Sequence, residues 1–151
     1  MDWRQQGRAA LIAVAHISLL VVAPLAYMLA DNQPPYVYDA SKSYVKPEKT
    51  ASGKQVTVHW HLARINRVCV GTIVRYIVDQ HTNARISYDP TAAAATIEVG
   101  MNYLERTFFL PQEMTPGKKW YYAEGSYACN PLQRFYPLVT RTPRLSFEVT
   151  E

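Results

Sequence analysis

The sequence lacks most of the patterns by which enzymes are recognised. It contains no G-x-S-x-G or H-E-x-x-H motif, no phosphate-binding loop and no dinucleotide-binding fingerprint. Six glycines and ten prolines among 151 residues exclude a collagen-like or low-complexity chain. Only 19% of the residues are charged, whereas 48% are hydrophobic, so the chain has enough apolar side chains for one folded domain.

Long apolar runs are also scarce, and the one clear run lies near the N-terminus. Residues 9–30, AALIAVAHISLLVVAPLAYMLA, carry no charged side chain, although His16 and Pro24 interrupt the apolar pattern. A helix of that length is about 33 Å long, enough to cross a hydrocarbon core of about 30 Å. We therefore predict a transmembrane anchor at 9–30 that contacts the lipid bilayer. A cleaved signal peptide is the alternative, but Ala26 and Ala30 lack the small residue that a cleavage site has two positions earlier.

The charged residues before this run predict its orientation. Arg4 and Arg8 outnumber Asp2, and a short, positively charged N-terminus stays in the cytoplasm. Residues 1–8 are therefore expected to form a cytoplasmic head. The chain after residue 30 would then lie in the periplasm or outside the cell, tethered to the inner (cytoplasmic) membrane by a single pass.

Cysteine occurs twice, and both cysteines follow the predicted anchor. An even number of cysteines in an exported domain is typical of a disulfide, here between Cys69 and Cys129. Closing this 60-residue separation is expected to stabilise the fold by about 4 kcal/mol. Two reduced thiols are the alternative, and the lack of a C-x-x-C motif argues against a redox or metal pair.

Beyond the anchor, the pattern of the chain changes twice. Residues 31–53 are rich in proline and lysine and are predicted to form a linker that can add a first edge strand at 36–38. From residue 54 to 151, apolar and polar side chains alternate in short segments, as in half-buried strands. The predicted strands are 56–62, 70–78, 86–88, 95–99, 104–110, 119–129 and 145–149, with a loop at 130–143. This pattern predicts a mainly β chain with an antiparallel immunoglobulin-like β-sandwich of seven or eight strands at 54–151.

Five residues support that architecture. The segment Gly125 to Cys129, G-S-Y-A-C, resembles the G-x-Y-x-C end of strand F in immunoglobulin-like domains. The resemblance implies that Tyr127 forms the tyrosine corner of that family. The aspartate that usually opens the motif would fall at Ala123, and the usual tryptophan does not follow Cys69. The resemblance concerns the fold and implies no function.

A binding surface is predicted at the end of the sandwich where the two cysteines meet. Arg134, Phe135 and Tyr136 follow the second cysteine, and Arg64 and Arg67 precede the first. Arginine and tyrosine are among the residue types that dominate binding energy at interfaces. We therefore expect these five residues to form the contact surface for a partner.

The aromatic segment that begins at Trp120 is a second candidate surface. On a strand, Trp120 and Tyr122 share one face, whereas Tyr121 and Tyr127 share the other. One face must belong to the core, which leaves the other available for binding.

Two histidines have the spacing of a β-sheet metal site. His59 and His61 are predicted to project from the same side of a strand, and His81 is the only other histidine after the anchor. The alternative is two polar residues opposite a buried face, and the sequence predicts neither a metal nor another cofactor. Ser43 and Lys46 fit the S-x-x-K pattern, but the companion motifs S-D-N and K-T-G are absent.

Basic residues exceed acidic ones by four but are scattered, which argues against nucleic-acid binding. The sequence as a whole predicts a non-enzymatic, membrane-anchored β-sandwich that binds an envelope protein or a surface polymer. The small size and single anchor suit a bacterial or prophage-encoded envelope protein. Two alternatives stay open, namely an accessory subunit of an envelope membrane complex and a metal-dependent protein that uses His59 and His61. The oligomeric state is not indicated.

Overall fold

A computed structural model describes residues 3–93 and 102–151, with side chains from residue 12 onward. Its first element is helix α1, Trp3–Ala30. The apolar span Ile12–Ala30 is left unburied by the rest of the chain and is about 28 Å long at 1.5 Å per residue. Within it, His16 donates from Nδ1 to the carbonyl oxygen of Ile12 (2.7 Å), which satisfies a polar atom inside the helix. A helix of this kind can span a membrane or serve as a signal sequence.

The rest of the described chain is mainly β, as the alternation predicts. The strands are β1 (Tyr36–Tyr38), β2 (Tyr44–Lys46), β3 (Lys49–Ala51), β4 (Gln55–Ile65), β5 (Val70–Asp79), β6 (Arg85–Ser87), β7 (Thr91–Ala92), β8 (Tyr103–Phe109), β9 (Gly117–Ala128), β10 (Leu138–Arg141) and β11 (Leu145–Thr150). We call these strands and their connections the β-domain. A short 3-10 helix, Pro131–Arg134, lies between β9 and β10 and is called the short helix below.

The strands form two sheets that pack face to face. In the first sheet the order is β1-β4-β2, and β8 also pairs with β4. In the second the order is β3-β11-β9-β5-β6, with β10 on β9 and β7 on β5. The pairs are antiparallel except for β3 and β11, which run parallel.

Alternating side chains of the two sheets meet in one core. Tyr121 of β9 is fully buried, its ring stacked on Phe108 at 5.2 Å between centroids and packed against Trp60 at 5.9 Å. Around it lie Val56, Val58, Ile77, Leu145, Phe147 and Val149, which come from both sheets. Burying each of these large apolar side chains stabilises the fold by about 1.5–3 kcal/mol. The alternation of apolar and polar side chains in β4, β9 and β11 therefore determines which faces of the two sheets pack together in the core.

The structure differs from the expected linker at 31–53. This segment supplies β1, β2 and β3 to the two sheets, and Val45 of β2 is as buried as the central core residues. The prolines that suggested a linker precede β1 or lie between β2 and β3, where their missing N–H interrupts no ladder. Strand β1 coincides with the edge strand allowed at 36–38, whereas β2 and β3, with three residues each, are too short to show a clear alternation.

The predicted loop 130–143 also contains regular structure. It holds the short helix and β10, which pairs with β9 from Leu138 opposite Tyr127 to Arg141 opposite Glu124. The predicted strands near β4, β5, β6, β8, β9 and β11 are present. The predicted strand 95–99 lies outside the described residues.

Candidate binding surfaces

The two cysteines lie together at one end of the β-domain. Cys69 directly precedes β5 and Cys129 directly follows β9, with sulfur atoms 2.02 Å apart and Cα atoms 4.7 Å apart. Since β5 and β9 are antiparallel neighbours, this pair joins adjacent strand ends. We call this the near end, because α1 arrives there, and the opposite end the far end.

The near end is bonded directly to the end of α1. Asn130 donates from Nδ2 to the carbonyl oxygen of Met28 (3.2 Å), and Gln133 donates from Nε2 to the carbonyl oxygen of Asp31 (2.7 Å). The last carbonyl groups of a helix have no partner inside the helix, so these amides supply missing donors. The connection between α1 and the β-domain is thus short, and two side chains of the β-domain, Asn130 and Gln133, hydrogen-bond to it.

Arg67 belongs to the same junction. Its guanidinium forms an ion pair with Asp31 and donates from Nη2 to the carbonyl oxygen of Gln33 (2.7 Å). The hydrogen bond from Arg67 holds the pKa of the Asp31 carboxyl below its usual value. Both side chains are largely covered, so Arg67 is placed as a structural residue of the junction rather than as part of an open surface.

The other four predicted contact residues are exposed at this end. Phe135 and Tyr136 are 79% and 76% exposed, and Arg134 beside them is exposed as well. Arg64 is exposed near the C-terminal end of β4. Exposed apolar side chains accompany them at Val68, Val70 and Val139. We call Val68, Val70, Phe135, Tyr136 and Val139 the apolar rim of the near end.

The aromatic strand β9 divides its side chains as the alternation predicts. Tyr121 and Tyr127 point into the core and are almost fully buried. Trp120 and Tyr122 lie on the outer face of the second sheet, where Tyr122 packs on Tyr76 of β5 with centroids 5.1 Å apart. Trp120 is half-buried and Tyr122 is only 5% exposed, so the candidate surface on the Trp120–Tyr122 face consists mainly of the side chains that cover these rings.

Three arginines from other segments cover these outer rings. The Arg85 guanidinium lies 3.5 Å from the Tyr76 ring centroid, and those of Arg141 and Arg144 lie 5.1 Å from Tyr122 and 4.9 Å from Trp120. Each such contact contributes about 0.5–1 kcal/mol at an exposed site. We call this group the arginine–aromatic face; its members are Tyr76, Arg85, Trp120, Tyr122, Arg141 and Arg144.

The arginine–aromatic face is positively charged. Glu124 forms an ion pair with Arg141 and lies 3.9 Å from Arg85, so two of the arginines share one carboxylate. Arg141 remains 54% exposed and Arg85 46% exposed at the side chain. Their donors are therefore held in place by rings and Glu124 while still open to a ligand.

The two candidate metal ligands have different surroundings. His59 Nδ1 lies 2.9 Å from Glu105 Oε1, and its ring stacks on Tyr44 at 4.6 Å. His61 Nδ1 is buried, with no hydrogen-bond partner among the residues that the structure describes. His81 lies in the turn between β5 and β6, in the other sheet. Within that described part of the chain, no three His, Cys, Asp or Glu side chains are grouped closely enough to hold a metal ion.

The S-x-x-K pair has structural neighbours instead of catalytic ones. Ser43 Oγ donates to the carbonyl oxygen of Asp39 (2.7 Å) and accepts from the backbone N–H of His61 (3.0 Å). Lys46 lies over the ring of Tyr44 at 5.3 Å. Ser43 thus ties β2 to β4.

A buried ion pair at the far end was missed by the sequence reasoning. Lys119, only 2% exposed, forms an ion pair with Asp79 and donates to Thr115 Oγ1 (3.2 Å). Asp79 also accepts from the backbone N–H groups of His81 and Thr82 (2.8 Å each). The available signal was the position of Lys119 in the inward-facing series of β9.

Comparison with known proteins gives little further information. No protein-family model and no curated protein matches the chain. Among solved structures, it is similar to Pseudomonas fluorescens alkylpurine DNA glycosylase AlkC bound to DNA containing an abasic site analog. That match covers 72% of this chain and 29% of the other, at 14% identity and a TM-score of 0.42, and carries no argument about function.

Proposed function

We propose that this protein is a membrane-anchored, non-enzymatic binding module whose β-domain lies outside the cytoplasm. In this proposal α1 crosses the inner membrane, residues 1–8 stay in the cytoplasm, and the two sheets have the immunoglobulin-like topology. The unburied apolar span Ile12–Ala30 and the basic N-terminus support the anchor. The cysteine pair at bonding distance supports an oxidising compartment.

We favour an anionic surface polymer as the partner, with an envelope protein as the alternative. The observation that carries this choice is the arginine–aromatic face, where three guanidinium groups lie on aromatic rings of one sheet. A guanidinium binds carboxylate or phosphate groups through two parallel hydrogen bonds. Because the rings and Glu124 already order these side chains, less conformational freedom is lost on binding.

The arginine–aromatic face is also well placed to meet a polymer. Tyr122 lies six residues before Ala128 on β9, which is about 20 Å along a strand from the near end. If α1 spans the membrane, the rings of Trp120 and Tyr122 lie away from the lipid surface, and Arg141, opposite Glu124, lies about 13 Å from the near end. The outer side of the second sheet then offers an extended contact along the chain of a polymer.

Titration of the full-length protein in detergent with an acidic polysaccharide, polygalacturonate, tests the proposal. Arg141→Gln combined with Arg144→Gln should weaken binding by about tenfold or more, since each lost charge-assisted hydrogen bond is worth roughly 1.5–3 kcal/mol. The matched control Lys42→Gln with Lys54→Gln removes the same charge from exposed positions elsewhere. Equal weakening in both variants, or no binding by the parent protein, would contradict the polymer assignment.

The two remaining alternatives have their own readouts. An accessory subunit should co-purify with other membrane proteins in mild detergent and lose them when α1 is replaced by an unrelated apolar helix. A metal-dependent protein should retain stoichiometric metal after purification and lose it on His59→Ala with His61→Ala. We do not propose either alternative, because the arginine–aromatic face supports a binding role that needs neither a membrane complex nor a metal ion.

A further inference from the structure

The short helix and its flanking residues are the part of the β-domain that touches the end of α1. Asn130 accepts from the backbone N–H of Gln133 and donates to the Met28 carbonyl, so one side chain caps both helices. Gln133, which is buried, accepts from the backbone N–H of Cys129 and donates to Asp31. These bonds fix the position of the short helix relative to the last turn of α1.

Beside these buried polar bonds, the apolar rim has no cover from the described part of the chain. Its five side chains are between 51% and 79% exposed, with Val68 the least and Phe135 the most exposed. Val70 and Val139 lie on the outer side of the second sheet, opposite Ala128 and Ser126. Phe135 and Tyr136 directly follow the short helix.

We propose that the apolar rim inserts into the lipid headgroup region of the membrane that α1 crosses. This inference rests on the proposed anchor and commits to lipid as the occupant, because Tyr136 of the rim lines one pocket together with Met28 and Leu29 of the last turn of α1. Aromatic side chains concentrate where a membrane meets water, since their rings are apolar and one end can stay wet. Tyr136, with a hydroxyl beyond its ring, fits that position.

The charges beside the rim match the same occupant. Arg134 and Arg64 are exposed at the near end and can pair with the phosphates of anionic lipids. Asp31, the acidic residue that directly follows α1, is already paired with Arg67. The near end therefore presents apolar and basic side chains to the membrane.

Lipid contact at the rim would set the orientation of the β-domain. The hydrogen bonds to the end of α1 attach the β-domain to the membrane at one point only. Contact between the apolar rim and the lipid would support the domain at a second point. The far end and the arginine–aromatic face would then project away from the membrane. This upright arrangement links the rim to the proposed function without being required by it.

Added tryptophans in the full-length protein test the inference. Phe135→Trp and Val139→Trp place the probe on the rim, and Phe109→Trp is the matched control, at an exposed (68%) position at the far end. Each variant is reconstituted into vesicles of phosphatidylcholine and phosphatidylglycerol, with and without brominated acyl chains that quench tryptophan. The native Trp3, Trp60 and Trp120 give the same background in all variants.

The expected result is strong quenching of the added fluorescence in both rim variants and none in the control. Absence of quenching at the rim would overturn the inference and leave the sequence-based prediction that Arg134, Phe135 and Tyr136 meet a protein or polymer. Quenching at Phe109→Trp as well would also overturn it, because the domain would then lie flat. Extraction of the vesicles with alkaline carbonate separates the two proposals: release of the protein contradicts the anchor, whereas retention without rim quenching contradicts only the lipid-inserted rim.

Discussion

The near and far ends of the β-domain are held together by different interactions. At the near end, the cysteine pair and side-chain amides bond strand ends, short helix and α1 to one another. At the far end, the buried Lys119–Asp79 pair closes the turn after β5. The near end also exposes the five-residue apolar rim, whereas the exposed large apolar side chains towards the far end include Phe109 and Ile86. The far end pairs its buried charges within the β-domain, whereas the near end leaves five apolar side chains exposed to whatever surrounds the domain.

The largest effect is expected from breaking the far end. Asp79→Asn removes the only carboxylate paired with the buried Lys119 ammonium among the described residues, so an uncompensated charge is left and the free energy of unfolding should fall by about 3–5 kcal/mol. Urea unfolding of the full chain in detergent, followed by the β signal in circular dichroism, measures the loss. Asp79→Asn with Lys119→Met should recover part of it, because no charge is then left unpaired. If the Asp79→Asn variant is as stable as the parent protein, the Lys119–Asp79 pair does not stabilise the far end.

Removing the covalent link at the near end should cost somewhat less. Cys69→Ala with Cys129→Ala is expected to lower the free energy of unfolding by about 2–5 kcal/mol through a less constrained unfolded chain. The same unfolding assay measures it, and reduction of the parent protein should reproduce the loss. If neither the variant nor the reductant has an effect, the near end does not depend on the cysteine pair.

Cutting the bonds between the near end and α1 should give a local effect. Asn130→Ala removes the cap of the short helix and one donor to α1, a loss of about 1 kcal/mol or slightly more. Backbone hydrogen exchange in the short helix should become faster, while exchange at the far-end turn 79–84 stays unchanged. Faster exchange at both ends would contradict the independence of the two ends.

Lowering the pH should reduce the stabilisation at the two ends to different extents, and this difference is expected to be the smallest of the effects. The hydrogen bond from Lys119 is the main cause that lowers the pKa of Asp79 in the folded protein. The ionised Asp79 therefore contributes its full stabilisation above the unfolded pKa of about 4, and this stabilisation is lost as the pH falls towards the folded pKa. Asp31 behaves in the same direction through Arg67, which is 27% exposed at the side chain, whereas Lys119 is 2% exposed. We therefore expect Asp79→Asn to flatten the loss of stability below about pH 4 more than Asp31→Asn does. Equal flattening in the two variants would show that the difference in burial does not make the Asp79–Lys119 pair more stabilising than the Asp31–Arg67 pair.

What the sequence predicts well is local and periodic. The helix follows from one uncharged run, and β4, β9 and β11 follow from alternation over six or more residues. The separation of Tyr121 and Trp120 onto opposite faces follows from the same rule, whereas the structure decides that the Tyr121 face is the core. The pairing of Cys69 with Cys129 could be predicted from the even number of cysteines and the predicted oxidising compartment alone.

The missing features depend on which strands become neighbours. Strands β2, β3 and β10 have three or four residues and are defined by their partners, so no local pattern marks them. The arginine–aromatic face joins Arg85 of β6 to rings of β5 and β9, and the pairing of those strands is not visible in the sequence. The bonds from Asn130 and Gln133 to α1 link residues about 100 positions apart.

The intact mass of the protein recovered from carbonate-washed membranes tests the central claim most directly. The account predicts the whole chain of 17.2 kDa in the membrane pellet, lighter by two hydrogens without reductant than with it. That result would show that α1 is retained as the anchor and that the near end is oxidised. A soluble product that begins near residue 31 would contradict the account, because the apolar rim would then have no membrane beside it.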